Sequence, residues 1–108
     1  TPMGDASELK AIARVFGEKP DLNISATKSM TGHLLGAAGA IEAIASIMTT
    51  IDNVIPPTIN TKDVDPDWAG KYNLTLGKSQ EREVNYAMSN TFGFGGHIAT
   101  AIFKKYKA

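Results

Sequence analysis

Lys28-Ser-Met-Thr-Gly-His33-Leu-Leu-Gly-Ala-Ala-Gly39 runs without interruption into Ala40-Ile-Glu42-Ala-Ile-Ala-Ser46-Ile-Met-Thr49-Thr50-Ile-Asp52. From Leu34 onward Leu, Ile, Met, Ala and Gly follow one another in helix-compatible order, which predicts a helix over Leu34 to Asp52. Its polar positions, Glu42, Ser46, Thr49 and Thr50, form only a thin stripe, and no Lys or Arg follows Lys28 until Lys62. A helix that is apolar all round belongs in an interior. Gly36, Gly39, Ala40 and Ala43 leave room for another backbone to come close, so this helix is expected to need cover on both sides.

The flanking segments supply one layer of that cover. Upstream, Asp5 with Glu8 has the spacing of a capping box, and Leu9, Ile12, Ala13 and Phe16 give a helix over Ala6 to Phe16, stopped by Gly17 and Pro20. Leu22 to Ala26 is a short strand candidate. Downstream, Val54 to Asn60 contains Pro56-Pro57 and reads as an extended connection, followed by a polar, turn-rich stretch from Thr61 to Lys71 and a short edge strand at Leu74 to Leu76. Glu83 to Ser89 alternates in strand fashion, Ile98 to Lys104 is a second strand, and Phe92-Gly93-Phe94-Gly95-Gly96 joins them as a hairpin, with Phe92 expected in the core. The expected class is α/β, with one sheet covering one face of the apolar helix. A chain of 108 residues cannot easily provide the missing layer, so a partner surface, from the same parent protein or another copy, is expected there.

Composition narrows the function. Eleven basic residues balance eleven acidic ones, so there is no electrostatic footprint for nucleic acid, and Lys104, Lys105 and Lys107 make only a short solvated tail. The absence of Cys removes disulfides, Cys-ligated zinc and thiolate catalysis from this chain. No signal-peptide pattern is present and Glu42 and Ser46 interrupt the apolar run, so neither export nor membrane spanning is expected. The opening Thr1-Pro2-Met3-Gly4-Asp5 lacks an initiator Met and starts in what reads as a loop, from which a cut polypeptide is expected.

Three clusters could carry chemistry. His33 stands where a loop enters a helix, a place from which a neutral imidazole can donate to a developing oxyanion or simply cap the helix. Lys28 should point to water or pair with a carboxylate, for which Glu8 or Asp5 would serve. Gly93, Gly95 and Gly96 around Phe94 allow close backbone approach to a ligand, but no Gly-Lys-Ser/Thr follows, so an oxyanion-binding or gating loop fits better than a phosphate cradle. Glu42 is a carboxylate in an apolar helix with no basic residue within a turn, and burial requires it to be protonated, paired or cation-bound.

Four ordered motifs, Thr1-Pro-Met-Gly-Asp5-Ala-Ser-Glu8, Lys28 to Gly39, Pro56-Pro57-Thr-Ile-Asn60 and Ser89-Asn-Thr-Phe-Gly-Phe-Gly-Gly96, together resemble the C-terminal segment of a β-ketoacyl-acyl-carrier-protein synthase of the elongating, FabF-like type. The resemblance covers nearly the whole chain and implies that residues 1–108 are an incomplete domain, the C-terminal portion of a thiolase-like fold with layers α/β/α/β/α around central helices. It implies a cytoplasmic homodimer that acts on acyl carrier protein and its phosphopantetheine arm in fatty acid biosynthesis, joining an acyl thioester to malonyl-acyl carrier protein by decarboxylative Claisen condensation. By the same resemblance His33 would hydrogen-bond the malonyl thioester carbonyl, Lys28 would be the active-site Lys with Glu8 as its carboxylate partner, and Asp5 would join that cluster. Thr1 would contact the pantetheine arm, and Phe94 would be the gating residue whose N–H contributes to an oxyanion hole. Glu42, Ser89 and Asn90 match a site where some members hold a monovalent cation, Na⁺ or K⁺; no other cofactor is implied.

The departures from that pattern matter equally. The nucleophilic Cys and the first His of the family have no counterpart here, so the isolated chain is expected to be inactive. Ile98 stands where many members carry Asn, and His97 is read as structural. A non-catalytic partner subunit of a polyketide synthase is the alternative, disfavoured by the retention of Lys28 and His33. A free-standing glycine-loop binding module would leave the apolar helix unexplained.

Overall fold

The computed structural model describes residues Thr1–Ala108. In chain order its elements are α1 (Pro2–Phe16), α2 (Lys28–Thr31), a 3₁₀ turn (Leu35–Ala37), α3 (Ala38–Asp52), β1 (Val54–Ile55), β2 (Gln80–Glu81), β3 (Tyr86–Gly93) and β4 (His97–Lys104).

The first helix begins earlier than the capping-box reading placed it. Thr1 is the N-cap, its Oγ1 accepting from the Gly4 N–H at 3.0 Å, and Pro2 opens the helix. A hydroxyl followed by a residue whose φ is already set is the better start signal. Asp5 therefore sits inside the first turn, where a carboxylate still favours the free N–H groups.

The apolar run divides into the 3₁₀ turn and the 15 residues of α3. Asn53 ends α3 in the left-handed conformation, its N–H donating to the Thr49 carbonyl. The extended connection that follows pairs as Val54↔Glu81 and Ile55↔Gln80. The strand expected at Leu22 to Ala26 reduces to the single parallel bridge Asn23↔Asn73, and that at Leu74 to Leu76 to the bridge Thr58↔Leu76. The polar side chains here bond to one another: the Asn23 amide donates to Thr75 and Gln80, and Asn73 and Gln80 bond reciprocally.

The hairpin is antiparallel from Tyr86↔Lys104 to Gly93↔His97, leaving Phe94-Gly95-Gly96 as the turn. Gly95 and Gly96 have φ of 82° and 83°, which restricts this turn to residues without a Cβ. Strand alternation puts Ala87, Ser89, Thr91, Ala99, Ala101 and, at the end away from the turn, Phe103 on one face. This small-residue face meets α3, with Gly39 and Thr91 at the contact: a Cβ built on Gly39 would lie 3.5 Å from the Thr91 Oγ1.

The packing inverts the usual order of hydrophobicity. Within α3 the buried residues are Ala38, Thr49 and Thr50, whereas Ile44 and Ile51 are 57% and 62% exposed. Back-bonding makes that burial affordable in hydrogen bonds: Ser46, Thr49 and Thr50 each donate to a carbonyl of the preceding turn. Ile41, Ile44, Met48 and Ile51 recur at three and four along the other side and remain uncovered, as do Met88, Phe92, Ile98 and Ile102 on the far face of the hairpin. Phe92 is thus 53% exposed instead of buried, because alternation assigns it to the face turned away from α3. Only seven of 108 residues are buried, too few for a domain that closes its own core. Leu35–Asp52 is long and apolar enough to cross a membrane by length and composition alone, a test that a core helix also passes, and Glu42 lies within it.

Exposed apolar surface of this extent is uncommon on soluble monomers. The isolated chain is expected to self-associate or to remain partly molten, with light scattering above the monomer mass and weak near-ultraviolet dichroism. A sharp monomer with well-ordered aromatic signals would show that the core closes internally.

Candidate active site

The site assembles around a single helical turn. Thr27 precedes α2 without capping it through its side chain, and Gly32 ends α2 at φ 75°, its N–H donating to the Lys28 carbonyl. This left-handed residue reverses the chain, so Lys28 on α2 lies against Glu42, one turn into α3. Their side chains form the only ion pair in the chain, with Lys28 43% and Glu42 13% exposed. This corrects the expectation that Lys28 pairs with Glu8 or Asp5. A search within one helical turn misses the pair because fourteen residues separate its members. Charge accounting would have found it: Lys28 is the only Lys or Arg between Pro20 and Thr61, and Glu42 the only acid between Lys28 and Met48.

His33 follows Gly32 and stands exposed. Its Nδ1 accepts from the Leu35 N–H at 3.0 Å. A neutral imidazole whose Nδ1 accepts must carry its proton on Nε2, so the free side of the ring is a donor. Leu35 holds this arrangement with φ 50°, a left-handed conformation uncommon for Leu, and with its side chain 74% exposed. Neither property of Leu35 is visible in the sequence, since Gly36 beside it is the residue one would assign to a left-handed position.

Glu8, on the second turn of α1, faces the hairpin instead of Lys28. Asn90 Nδ2 donates to it over 3.4 Å, and Asn90 Oδ1 accepts from the Thr100 hydroxyl at 2.9 Å across the ladder. Thr1 has its oxygen committed to the cap of α1, which leaves its hydroxyl proton free to donate elsewhere. Asp5 is exposed on α1 and makes no side-chain bond. Phe94 projects from the hairpin tip, 99% exposed, and the ring of His97 lies 3.7 Å from where a Cβ on Gly95 would stand.

Of the residues expected to form a cation site, Glu42 is paired with Lys28, and the amide oxygen of Asn90 accepts from the Thr100 hydroxyl. No group of three or more His, Asp or Glu comes together anywhere in the chain.

Comparison with known proteins identifies the family of the chain. A profile of "Beta-ketoacyl synthase, C-terminal domain" matches residues 1–62. The chain is 48% identical over 109 aligned positions to 3-oxoacyl-[acyl-carrier-protein] synthase 2 of Staphylococcus aureus strain COL, covering all of this chain and 26% of that protein. It is 45% identical to the Synechocystis protein of the same name, covering 99% of this chain and again 26% of the relative. The chain thus spans about a quarter of the length of these curated relatives. Two solved structures superpose over 90% of it: the ishigamide ketosynthase/chain length factor, with TM-score 0.81 and 35% identity, and a β-ketoacyl synthase from Burkholderia phymatum STM815, with TM-score 0.78 and 42% identity. Each match covers 23% of the solved chain.

The bond from Leu35 makes a spectroscopic prediction. In a ¹⁵N spectrum of the full-length protein containing this chain, neutral His33 should carry its proton on Nε2. An Nδ1-protonated ring would contradict the geometry.

Proposed function

This chain belongs to the β-ketoacyl synthase family as its C-terminal part, and we propose that the protein containing it is an acyltransferase of fatty acid biosynthesis, a 3-oxoacyl-[acyl-carrier-protein] synthase. The observation that carries the reading is the bond from the Leu35 N–H to His33 Nδ1, which leaves Nε2 of a neutral imidazole as the donor.

In the proposed reaction an acyl group is held as a thioester on a Cys supplied by the rest of the protein. Malonyl-acyl carrier protein then loses CO₂. The electron pair of the breaking C–C bond passes to the α-carbon and is delocalised onto the thioester oxygen. His33 Nε2–H donates to that oxygen and stabilises the enolate as its charge develops. The enolate carbon attacks the acyl carbonyl, the Cys thiolate leaves, and a 3-oxoacyl thioester remains on the carrier protein. Fixed donors aimed at developing charge are among the strongest contributors to catalysis because they need no reorganisation during the step. Lys28 adds a positive field whose geometry is set by Glu42. Phe94, exposed on a glycine turn, can move without breaking the ladder behind it, as a gate requires. The acyl carrier protein as partner, the pantetheine contact of Thr1, a homodimeric assembly and a cytoplasmic location belong to the same proposal. No step is assigned to a cation at Glu42, Ser89 and Asn90.

A non-catalytic partner subunit is the competing reading, and one structural neighbour is a ketosynthase/chain length factor. A subunit that performs no chemistry has no need of an oriented imidazole donor, so the arrangement of His33 favours the enzyme.

His33→Ala in the full-length protein is expected to lower condensation by about 10²- to 10³-fold, the scale for one oxyanion-type donor, while acyl transfer to Cys is retained. Radiolabelled acyl-enzyme formation measured beside 3-oxoacyl product separates the two steps. Equal loss of both would move His33 to a structural or nucleophile-activating role.

The isolated 108-residue chain should form no 3-oxoacyl thioester from acyl and malonyl carrier protein, since it contains no Cys. Product formation by the purified chain would refute the assignment of the nucleophile to the remainder of the protein.

A further inference from the structure

Pro56-Pro57-Thr58-Ile59-Asn60 contains no ionisable side chain and takes no part in the reaction above. It nevertheless lies along the segment that leads into Lys28, and four hydrogen bonds involving side chains join the two. Ser25 Oγ donates to the Pro56 carbonyl at 2.6 Å, and Thr58 Oγ1 accepts from the Ala26 N–H at 2.8 Å. Ser29 Oγ accepts from the Ile59 N–H at 3.0 Å, and Asn60 Nδ2 donates to the Ser29 carbonyl at 3.3 Å. The contacts bracket Lys28 on both sides in sequence.

Such support has a physical reason to exist. The four residues of α2 make a single turn, and its N-cap residue gives it no side-chain bond. Helix nucleation is unfavourable, so one turn does not hold its own geometry in water. Something outside α2 must fix the direction of Lys28 and, through Gly32, the position of His33. The Pro56–Asn60 segment is suited to the task. Its two prolines restrict the backbone before any contact is made. Thr58 is secured from the other side, its N–H donating to the Thr75 carbonyl at 2.8 Å and its carbonyl accepting from Gly77 at 2.9 Å. Thr75 is fully buried and belongs to the satisfied network of Asn23, Asn73 and Gln80.

We propose that Pro56–Asn60 is a brace for the catalytic turn, with Thr58 and Ser29 as positioning residues that transmit the rigidity of the Thr75 network to Lys28 and His33. The inference rests on the enzymatic reading for its kinetic consequence but not for its structural one. A displacement of about 1 Å at a reacting group can cost about 100-fold in rate, so loosening the turn should affect the condensation step more than the folding of the protein.

The test compares Thr58→Val, which is isosteric and removes the acceptor for Ala26, with Thr58→Ser, which keeps it, and adds Ser29→Ala, all in the full-length protein. Amide hydrogen exchange at Met30, Thr31 and Gly32 should accelerate about fivefold in Thr58→Val and Ser29→Ala, the scale of one lost hydrogen bond, and should remain at the unsubstituted rate in Thr58→Ser. The turnover number for condensation should fall about 10- to 100-fold in the first two variants, with acyl transfer to Cys and thermal midpoint unchanged, and should recover in Thr58→Ser. Unchanged exchange in Thr58→Val and Ser29→Ala would overturn the brace. So would accelerated exchange without a condensation defect, or a parallel loss of acyl transfer, condensation and thermal midpoint. If the unsubstituted protein does not condense at all, the enzymatic reading fails, and the exchange pattern alone decides whether the brace stands.

Discussion

The ion pair between Lys28 and Glu42 joins a turn too short to hold itself to the 15-residue helix α3. Lys28 is partly open to water, so screening limits its contribution to stability. Its importance is directional. Glu42 would otherwise be an unpaired carboxylate in an apolar helix, an arrangement with a large desolvation penalty, and Lys28 satisfies it only while Gly32 folds the chain back. Charge satisfaction in α3 and the placement of His33 are therefore one constraint. The Leu35 N–H then sets which nitrogen of His33 faces outward.

Much of this was legible in the sequence where a single periodicity or turn signal decided the matter. The all-apolar run announced α3, and the glycine cluster around Phe94 announced the hairpin, with strands ending within a few residues of the alternation that marked them. Family resemblance supplied the remaining candidate site residues, because Lys28, His33 and Phe94 sit inside recognisable motifs. What could not be read was partnership across turns. The exchange of partners, Glu42 for Glu8 at Lys28 and Asn90 for Lys28 at Glu8, depends on how the left-handed Gly32 directs the chain. The start of α1 was misplaced for a different reason: two cap signals competed within five residues, and Thr1-Pro2 prevailed over Asp5-Glu8.

The uncovered residues carry information of their own. Burial of Thr49 and Thr50 beside exposed Ile44 and Ile51 makes no sense for a complete domain, since apolar burial is the main driving force for folding. It makes sense for a central layer. The small-residue side of α3 is shaped for the hairpin within this chain, and the large-residue side is shaped for something beyond it. That division agrees with a chain spanning 26% of its curated relatives.

The contact of Gly39 with Thr91 acts as a gauge block between helix and hairpin. A methyl group at position 39 would meet Thr91 Oγ1 at 3.5 Å, an ordinary contact, so Ala is admissible there; anything longer would wedge the two elements apart. Thr91 lies on β3 three residues before Phe94 in the turn, and the hairpin is stiffened by its ladder, so a wedge at Gly39 would swing the tip as a lever swings about a fulcrum. Side-chain size at one inconspicuous glycine thereby bears on where the aromatic tip stands relative to α3, without altering a single reactive group.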